Sequence, residues 1–245
     1  MNENHRMKRS MTMIEVMKCV KNLAKSSGRS GKAKRGKLIV LEGIDGSGKT
    51  TIWNLLKNQL DSNRFVFSRE PTDSHHGQKI RSLLAENARE SDYRRIFELF
   101  LEDRKWHLEN VIIPALREGR HVILDRFYLS TIAYQGVTGI KPPHELYELC
   151  MKHSRGIVPD LIIFLHVPLN VALERINYRT LKENMSRTAY EKEDFLKTVS
   201  AIYRTYLPKF RHVIIDATRP PEKVFKSVLE TIYFYLNQKY HFRAF

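Results

Sequence analysis

Cysteine is scarce and long apolar runs are missing. Only Cys19 and Cys150 occur in 245 residues, far apart and in no metal-binding or redox spacing. That excludes a disulfide-stapled scaffold and suits a reducing compartment. No uninterrupted apolar stretch is long enough to cross a bilayer. The N-terminal apolar stretch is too short and too charged for a secretory signal. No internal repeat is visible. Acid is the other shortfall: 27 Asp+Glu face 42 Lys+Arg, for a net charge of +15. Residues 1–37 hold 11 basic residues against Glu3 and Glu15, so more than half of the excess sits in that short segment. The remainder is moderately basic, as expected of a protein that handles several phosphates at once. A hydrophobic content of 42% is ample for a core, and the length fits one domain plus a tail.

Residues 1–36 read as a basic, flexible extension and residues 37–240 as the body. Met13, Met17, Val20 and Ala24 give Met11 to Lys25 some helical periodicity, and Ser26 to Gly36 has the composition of a linker. The extension has three readings: a tail that does little, an organelle-targeting peptide (against which Glu3 and Glu15 count), and a nucleic-acid-binding arm. The body is expected to be cytoplasmic, with the targeting reading left open.

What the body does contain is Gly43-Ile44-Asp45-Gly46-Ser47-Gly48-Lys49-Thr50, which fits G-x-x-x-x-G-K-[ST] at every fixed position. The apolar run Leu38 to Leu41 precedes it, and Thr51 to Leu60 follows with Ile52, Leu55 and Leu56 at helical spacing. Strand, glycine-rich turn and helix form the arrangement that cradles phosphates. The glycines permit positive φ and close backbone approach, and the loop amides converge at a helix N-terminus. The stretch Gly43 to Thr51 is therefore expected to bind ATP, with Lys49 reaching the β- and γ-phosphates and the Thr50 hydroxyl on Mg²⁺.

Strands alternate with helices beyond that point. Strands are expected at Phe65–Ser68, His121–Leu124, Leu161–Leu165 and Val213–Ile215. Helices are expected at Gln78–Asn87, Tyr93–Glu118 (bent or restarted at Pro114), Val171–Tyr178, Tyr190–Tyr206 and Glu222–Tyr235. Apolar strands alternating with helices mean an α/β fold: a parallel sheet covered on both faces, a three-layer sandwich with its ligand beyond the carboxyl ends of the strands. Charged groups gather at those ends. Asp125 closes one strand and is placed to hold Mg²⁺. Arg69 and Arg126 could grip a second phosphate, or could simply be salt-bridge partners at helix starts. Phe100 and Arg104 lie four apart on one helix face and suit a planar base, although Phe100 alone reads as core. Arg175, Arg179, Lys182 and Arg187 fall in or beside the polar stretch Asn177 to Ser186. It reads as a mobile loop that brings arginine to the transferring group, or as a solvated surface loop.

In these residues the chain resembles the thymidylate kinase family, a branch of the P-loop nucleoside monophosphate kinases. The matching segments are Leu41 to Thr51, Arg69-Glu70-Pro71, Phe100 with Asp103-Arg104, Asp125-Arg126-Phe127 with Ser130 and Ala133 to Gly136, Val171 to Arg175, and Asp216-Ala217 with Pro220-Pro221. The likeness covers about residues 37–237. It implies a five-stranded parallel sheet with helices on both sides and a mobile lid, about residues 177–190. It implies transfer of the γ-phosphoryl of ATP to dTMP with Mg²⁺, a step in dTTP biosynthesis, by a homodimer; from the residues themselves no membrane partner is expected and a nucleic-acid partner is disfavoured. By the same resemblance Asp45 contacts the 3′-hydroxyl of the acceptor sugar, and Arg69 and Arg126 bind the acceptor phosphate. Phe100 stacks on thymine, Arg104 bonds its edge, Tyr134 excludes a 2′-hydroxyl, and Ser130 and Gln135 lie near the base. Two departures matter. Some members carry a catalytic arginine where this chain has Gly46, so Arg175, Arg179 and Arg187 become the candidates for that role. The tyrosine usual after Asp-Arg is Phe127 here.

Rival readings are a kinase for dUMP, another monophosphate or a deoxynucleoside, a P-loop ATPase that binds nucleic acid through the basic tail, and an inactive relative. A thymine methyl in an apolar pocket discriminates by only about 1–3 kcal/mol. The intact loop and Asp125 speak against inactivity, and the acceptor-side residues speak against the ATPase.

Overall fold

The computed structural model describes residues 35–86, 89–183 and 188–237. Most of the N-terminal extension, including Met11–Lys25, and the segment from Asn184 to Arg187 lie outside them. Five strands form one parallel sheet: β1 (Leu38–Glu42), β2 (Phe65–Arg69), β3 (His121–Asp125), β4 (Leu161–His166) and β5 (His212–Asp216), in the order β2-β3-β1-β4-β5. Every residue of β1 is buried, as befits the central strand of a sheet covered on both faces. Register pairs Leu41 and Arg69 with Asp125, and Glu42 with Phe164. The charged residues expected just beyond the strands are thus their last members.

The helices are α1 (Lys49–Gln59), α2 (His75–Ala85), α3 (Glu90–His107), α4 (Ile113–Arg117), α5 (Tyr128–Val137), α6 (Pro143–His153), α7 (Leu169–Glu183), α8 (Glu193–Tyr206) and α9 (Pro221–Asn237). β1 crosses out toward β2, whereas its neighbours β3 and β4 cross the other way. Right-handed crossovers then send their helices to opposite faces. The glycine-rich loop after β1 therefore opens at the topological switch point, where α/β sheets bind ligands. The contacts agree: α9 packs on α1, while α5 packs against α6 and α8.

The expected helix Tyr93–Glu118 is α3 and α4 joined by a π turn at Leu108–Ile112. Pro114 has no N–H to give, and the chain widens so that the N–H of Ile113 reaches the carbonyl of Leu108 before restarting. The reading of Asn177 to Ser186 as a loop is corrected: α7 continues to Glu183. Its outer turns expose Tyr178 and Leu181, so no apolar stripe marks them, yet Leu, Lys, Glu and Arg are good helix formers. The expected helix from Tyr190 begins as a short 3₁₀ turn, Ala189–Glu191, before α8. α5 and α6 had no place in the sequence-based assignment. Tyr128 to Gln135 are all buried, which erases amphipathic periodicity, and α6 starts on the Pro142-Pro143 pair.

Candidate active site

The glycine-rich loop bends through positive φ at Gly43, Gly46 and Gly48, and α1 starts at Lys49. At Gly46 the need for glycine is double. Its φ is 78°, and a Cβ there would lie 2.4 Å from the carbonyl oxygen of Ala172 in α7. An arginine at this position is therefore sterically barred in this chain. Lys49 is buried, and its Nζ donates to the Ile44 carbonyl (2.8 Å) and to Ser47 Oγ (3.3 Å). Burial, followed by the nearby Arg126, lowers its pKa to about 8. Thr51 lies exposed in the first turn of α1.

Thr50 and Asp125 meet as expected: Thr50 Oγ1 donates to Asp125 Oδ2 at 3.0 Å. The other oxygen, Asp125 Oδ1, is buried without a hydrogen-bond partner among the described residues. A buried, unpartnered carboxylate oxygen beside a hydroxyl is an all-oxygen donor set, and it fits a hard divalent cation that takes its remaining ligands from phosphate and water.

Opposite the loop is a cavity of about 230 Å³, lined by Asp45, Phe100, Arg104, Arg126, Ser130, Tyr134 and Gln135. These are the expected acceptor-side residues apart from Arg69. Arg126, with φ 69°, bridges Asp45 Oδ1 and Ser130 Oγ (3.0 Å to the latter), and its guanidinium lies 4.8 Å from the centre of the Tyr134 ring. The Tyr134 hydroxyl donates to Asp45 Oδ2 (2.9 Å) and accepts the Asp45 N–H (3.0 Å). Asp45, a member of the phosphate loop, is thus tied to the cavity wall. Burial pushes its pKa up, but the charges of Arg126 and Lys49 outweigh burial and hold the carboxyl below its ordinary value.

Phe100 is half-buried on the cavity wall rather than sealed in the core. Arg104 is 1% exposed. Its Nε and Nη2 donate to Glu70 Oε2 (3.0 and 2.6 Å), and Nη2 also reaches Thr131 Oγ1 (2.8 Å). Its Nη1 has Cys150 Sγ at 3.8 Å. His107 completes this joint, with Nδ1 on Glu70 Oε1 (3.1 Å) and Nε2 on Ser68 Oγ (2.8 Å). Burial would raise the Glu70 pKa, but Arg104 and His107 more than compensate and it lies below the ordinary value.

Arg69 does not join this cavity. Its side chain is 52% exposed and pairs loosely with Asp73 at 3.7 Å, beside a second, polar cleft that also contains Trp53 and Lys57. Of the lid candidates, Arg175 is pinned on backbone carbonyls, Ala217 at 2.9 Å and Gly46 at 3.4 Å. Arg179 pairs with Glu191, and Arg187 lies outside the described residues. The cavity also includes residues without a role in the sequence reading: Glu70, Phe127, Tyr190 and Glu191 among them. Tyr190 stacks on Tyr134, with Gln135 beside its buried hydroxyl. One signal was readable: Thr188 and Glu191 form a capping box, the T-x-x-E pattern that anchors this corner.

A family model described as thymidylate kinase matches residues 41–228. A thymidylate kinase of Brachyspira hyodysenteriae is 35% identical over 202 residues, covering 81% of this chain and 94% of its own. A thymidylate kinase of Desulfotalea psychrophila is 37% identical over 181 residues, 73% of this chain and 86% of its own. A probable thymidylate kinase of Methanosarcina mazei is 38% identical over 207 residues, 81% of this chain and 96% of its own.

Proposed function

The chain belongs to the thymidylate kinase family, and from that premise we propose that it transfers the γ-phosphoryl group of ATP to dTMP, giving ADP and dTDP. The observation that carries the acceptor side is the contact of Asp45 with Arg126 and Tyr134. It joins the phosphate loop directly to a base-sized cavity with an aromatic wall. A nucleic-acid-stimulated ATPase has no use for such a cavity.

In this reading the loop amides from Gly43 to Thr51 hold the ATP phosphates, and Lys49 turns from the Ile44 carbonyl to the β- and γ-phosphates. Thr50 and Asp125 would hold Mg²⁺, which supplies neutralising charge between those phosphates when bound. Arg126 carries the acceptor phosphate, and Phe100 stacks on thymine. Arg104, braced by Glu70, offers its remaining donor capacity to the base edge. Asp45, Ser130 and Gln135 contact the nucleoside, and Tyr134 fills the space of a 2′-hydroxyl. Arg69 is placed for the same phosphate only after leaving Asp73. Phosphoryl transfer needs in-line placement and charge neutralisation more than covalent help, so these groups suffice together with a lid arginine. Arg179 and Arg187 are the better lid candidates, because Arg175 already spends its guanidinium bracing the phosphate loop against the Ala217 turn. The lid of residues 177–190 and the homodimer complete the proposal, the latter tested by light scattering.

The deciding assay measures ADP release with ATP, Mg²⁺ and a panel of dTMP, dUMP, dCMP, dGMP, UMP and thymidine. Turnover fastest with dTMP, slower with dUMP and absent with UMP supports the base pocket and the sugar gate. Turnover indifferent to the acceptor sinks both.

A further inference from the structure

Glu42 ends β1, immediately before the phosphate loop. It is fully buried and does not line the acceptor cavity. Its carboxylate nevertheless accepts four hydrogen bonds. Oε1 takes the backbone N–H of Phe127 (3.0 Å) and of Ser130 (3.2 Å), and Oε2 takes the hydroxyls of Ser130 (2.7 Å) and Tyr203 (2.8 Å). The two amides belong to the N-terminus of α5, where Phe127 is the cap residue and the Ser130 N–H is shared with the Phe127 carbonyl (3.1 Å). Glu42 thus caps a helix from outside it, with its negative charge at the positive end of the dipole. Burial pushes its pKa up, opposed by Ser130, Arg126 and Tyr203.

The residue just before this cap is Arg126, a non-glycine at φ 69°. Such a conformation persists only where its surroundings over-determine it. Here the constraints sit on both sides. Asp125 is locked in the sheet by its pairing with Leu41, the Arg126 N–H bonds the Leu41 carbonyl (3.0 Å), and the Phe127 N–H is fixed on Glu42. A second link runs through Ser130. Its hydroxyl donates to Glu42 Oε2 with the Tyr203 hydroxyl also 2.8 Å away, and the oxygen faces the Arg126 Nη1 at 3.0 Å as an acceptor.

We propose that Glu42 is the positioning residue for Arg126: by capping α5 and orienting the Ser130 hydroxyl, it holds the guanidinium at the mouth of the acceptor cavity. The inference rests on the reading that Arg126 carries the acceptor phosphate. Glu42 itself touches neither nucleotide. Its effect falls mainly on the acceptor phosphate; on the ATP side it acts only through its charge, which favours the Lys49 ammonium, while Lys49 is held by hydrogen bonds to Ile44 and Ser47.

The test is steady-state kinetics with dTMP and ATP varied separately, plus melting temperatures, on E42Q, S130A, E42Q/S130A and R126A. Glutamine keeps an acceptor for the two amides but turns donors toward Ser130 and Tyr203, so the Ser130 hydroxyl loses the acceptor that takes its proton and is no longer oriented for Arg126. E42Q is expected to raise KM for dTMP about tenfold, the loss of one charge-assisted hydrogen bond, with KM for ATP changed less than about twofold. S130A moves KM for dTMP in the same direction, and the double variant is no worse than the more severe single one, because both cut the same link. A purely structural role lowers the melting temperature and leaves both KM values alone at temperatures well below it; that result overturns the proposal. If E42Q does not fold, E42D takes its place, because the shorter carboxylate also withdraws from the α5 amides and from Ser130: a dTMP-specific rise supports the link and an unchanged KM refutes it. R126A separates the two levels. If it leaves dTMP kinetics unaltered, the phosphate-carrying reading fails and the positioning role falls with it. If R126A impairs dTMP use while E42Q and S130A do not, only the positioning role fails.

Discussion

Lys49 holds its ammonium against the Ile44 carbonyl in surroundings that lower its pKa to about 8. Triphosphate favours the charged form, so the pKa rises on binding. The sign follows from linkage. Above pH 8 the free enzyme has largely lost the proton that the complex retains, so binding takes it up and affinity falls as pH rises. Calorimetry in buffers of differing ionisation heat is expected to show close to one proton taken up per ATP near pH 9 and much less near pH 7. Equal uptake at both refutes a depressed Lys49. Lys49→Met is expected to abolish turnover while preserving the melting temperature to within a few degrees; a normal kcat in that variant contradicts the role. Gly46 is the other residue with a sharp prediction. Gly46→Ala forces a side chain into positive φ and against the Ala172 carbonyl. It is expected to cost about 1–3 kcal/mol, read as a fall in melting temperature of about 2–4 °C per kcal/mol. An unchanged melting temperature means that α7 does not press on the loop.

Among the elements, β2 and α3 are joined by a polar contact inside the core rather than by apolar packing. Glu70, just past β2, sits between Arg104 and His107 of α3, with carboxylate and guanidinium 3% and 1% exposed. Glu70→Ala leaves the Arg104 charge buried and unpaired, which costs about 3–5 kcal/mol. Chemical denaturation is expected to report a loss of that size, together with weaker dTMP binding because Arg104 loses its orientation. A loss below about 1 kcal/mol places the pair in water rather than in the core. This joint also shows where the sequence stops speaking. Asp103-Arg104 and Glu70 were visible as motif members, but nothing in the spacing of residues 34 apart says that the arginine spends two of its nitrogens on the glutamate. Periodicity failed at α5, which is buried all round, and at the outer half of α7, which is exposed all round, because each lacks the one-sided pattern that reveals a helix. Where a short, continuous apolar run lies between turns, or where a loop needs glycine, the sequence was enough: the five strands and the phosphate loop stand where they were expected.

For the molecule as a whole, the remaining matter is how the basic N-terminal extension relates to the kinase body. The body's own boundary is anchored at the lower edge of the sheet. Arg35 and Lys37 pair with Asp160 (3.1 and 2.9 Å), the Gly36 N–H bonds the Leu116 carbonyl (2.8 Å), and the Lys37 N–H bonds His121 Nδ1 (3.0 Å). These contacts belong to residues 35–37, at the end of the sheet opposite the carboxyl termini where the phosphate loop and acceptor cavity open. Removing residues 1–34 takes away nine of the 42 basic residues and two of the 27 acids, leaving a net charge of +8. The truncated chain is expected to keep kcat and both KM values within about twofold, since every residue given a role in the reaction lies beyond residue 37. Elution from a polyanion column is expected to move to distinctly lower salt, because each lost cation removes a counterion-releasing contact. A truncated protein that elutes earlier but turns over dTMP normally assigns the extension to charge alone. One that loses dTMP turnover, with its melting temperature intact, means that the extension takes part in the reaction and that the body does not end at residue 37.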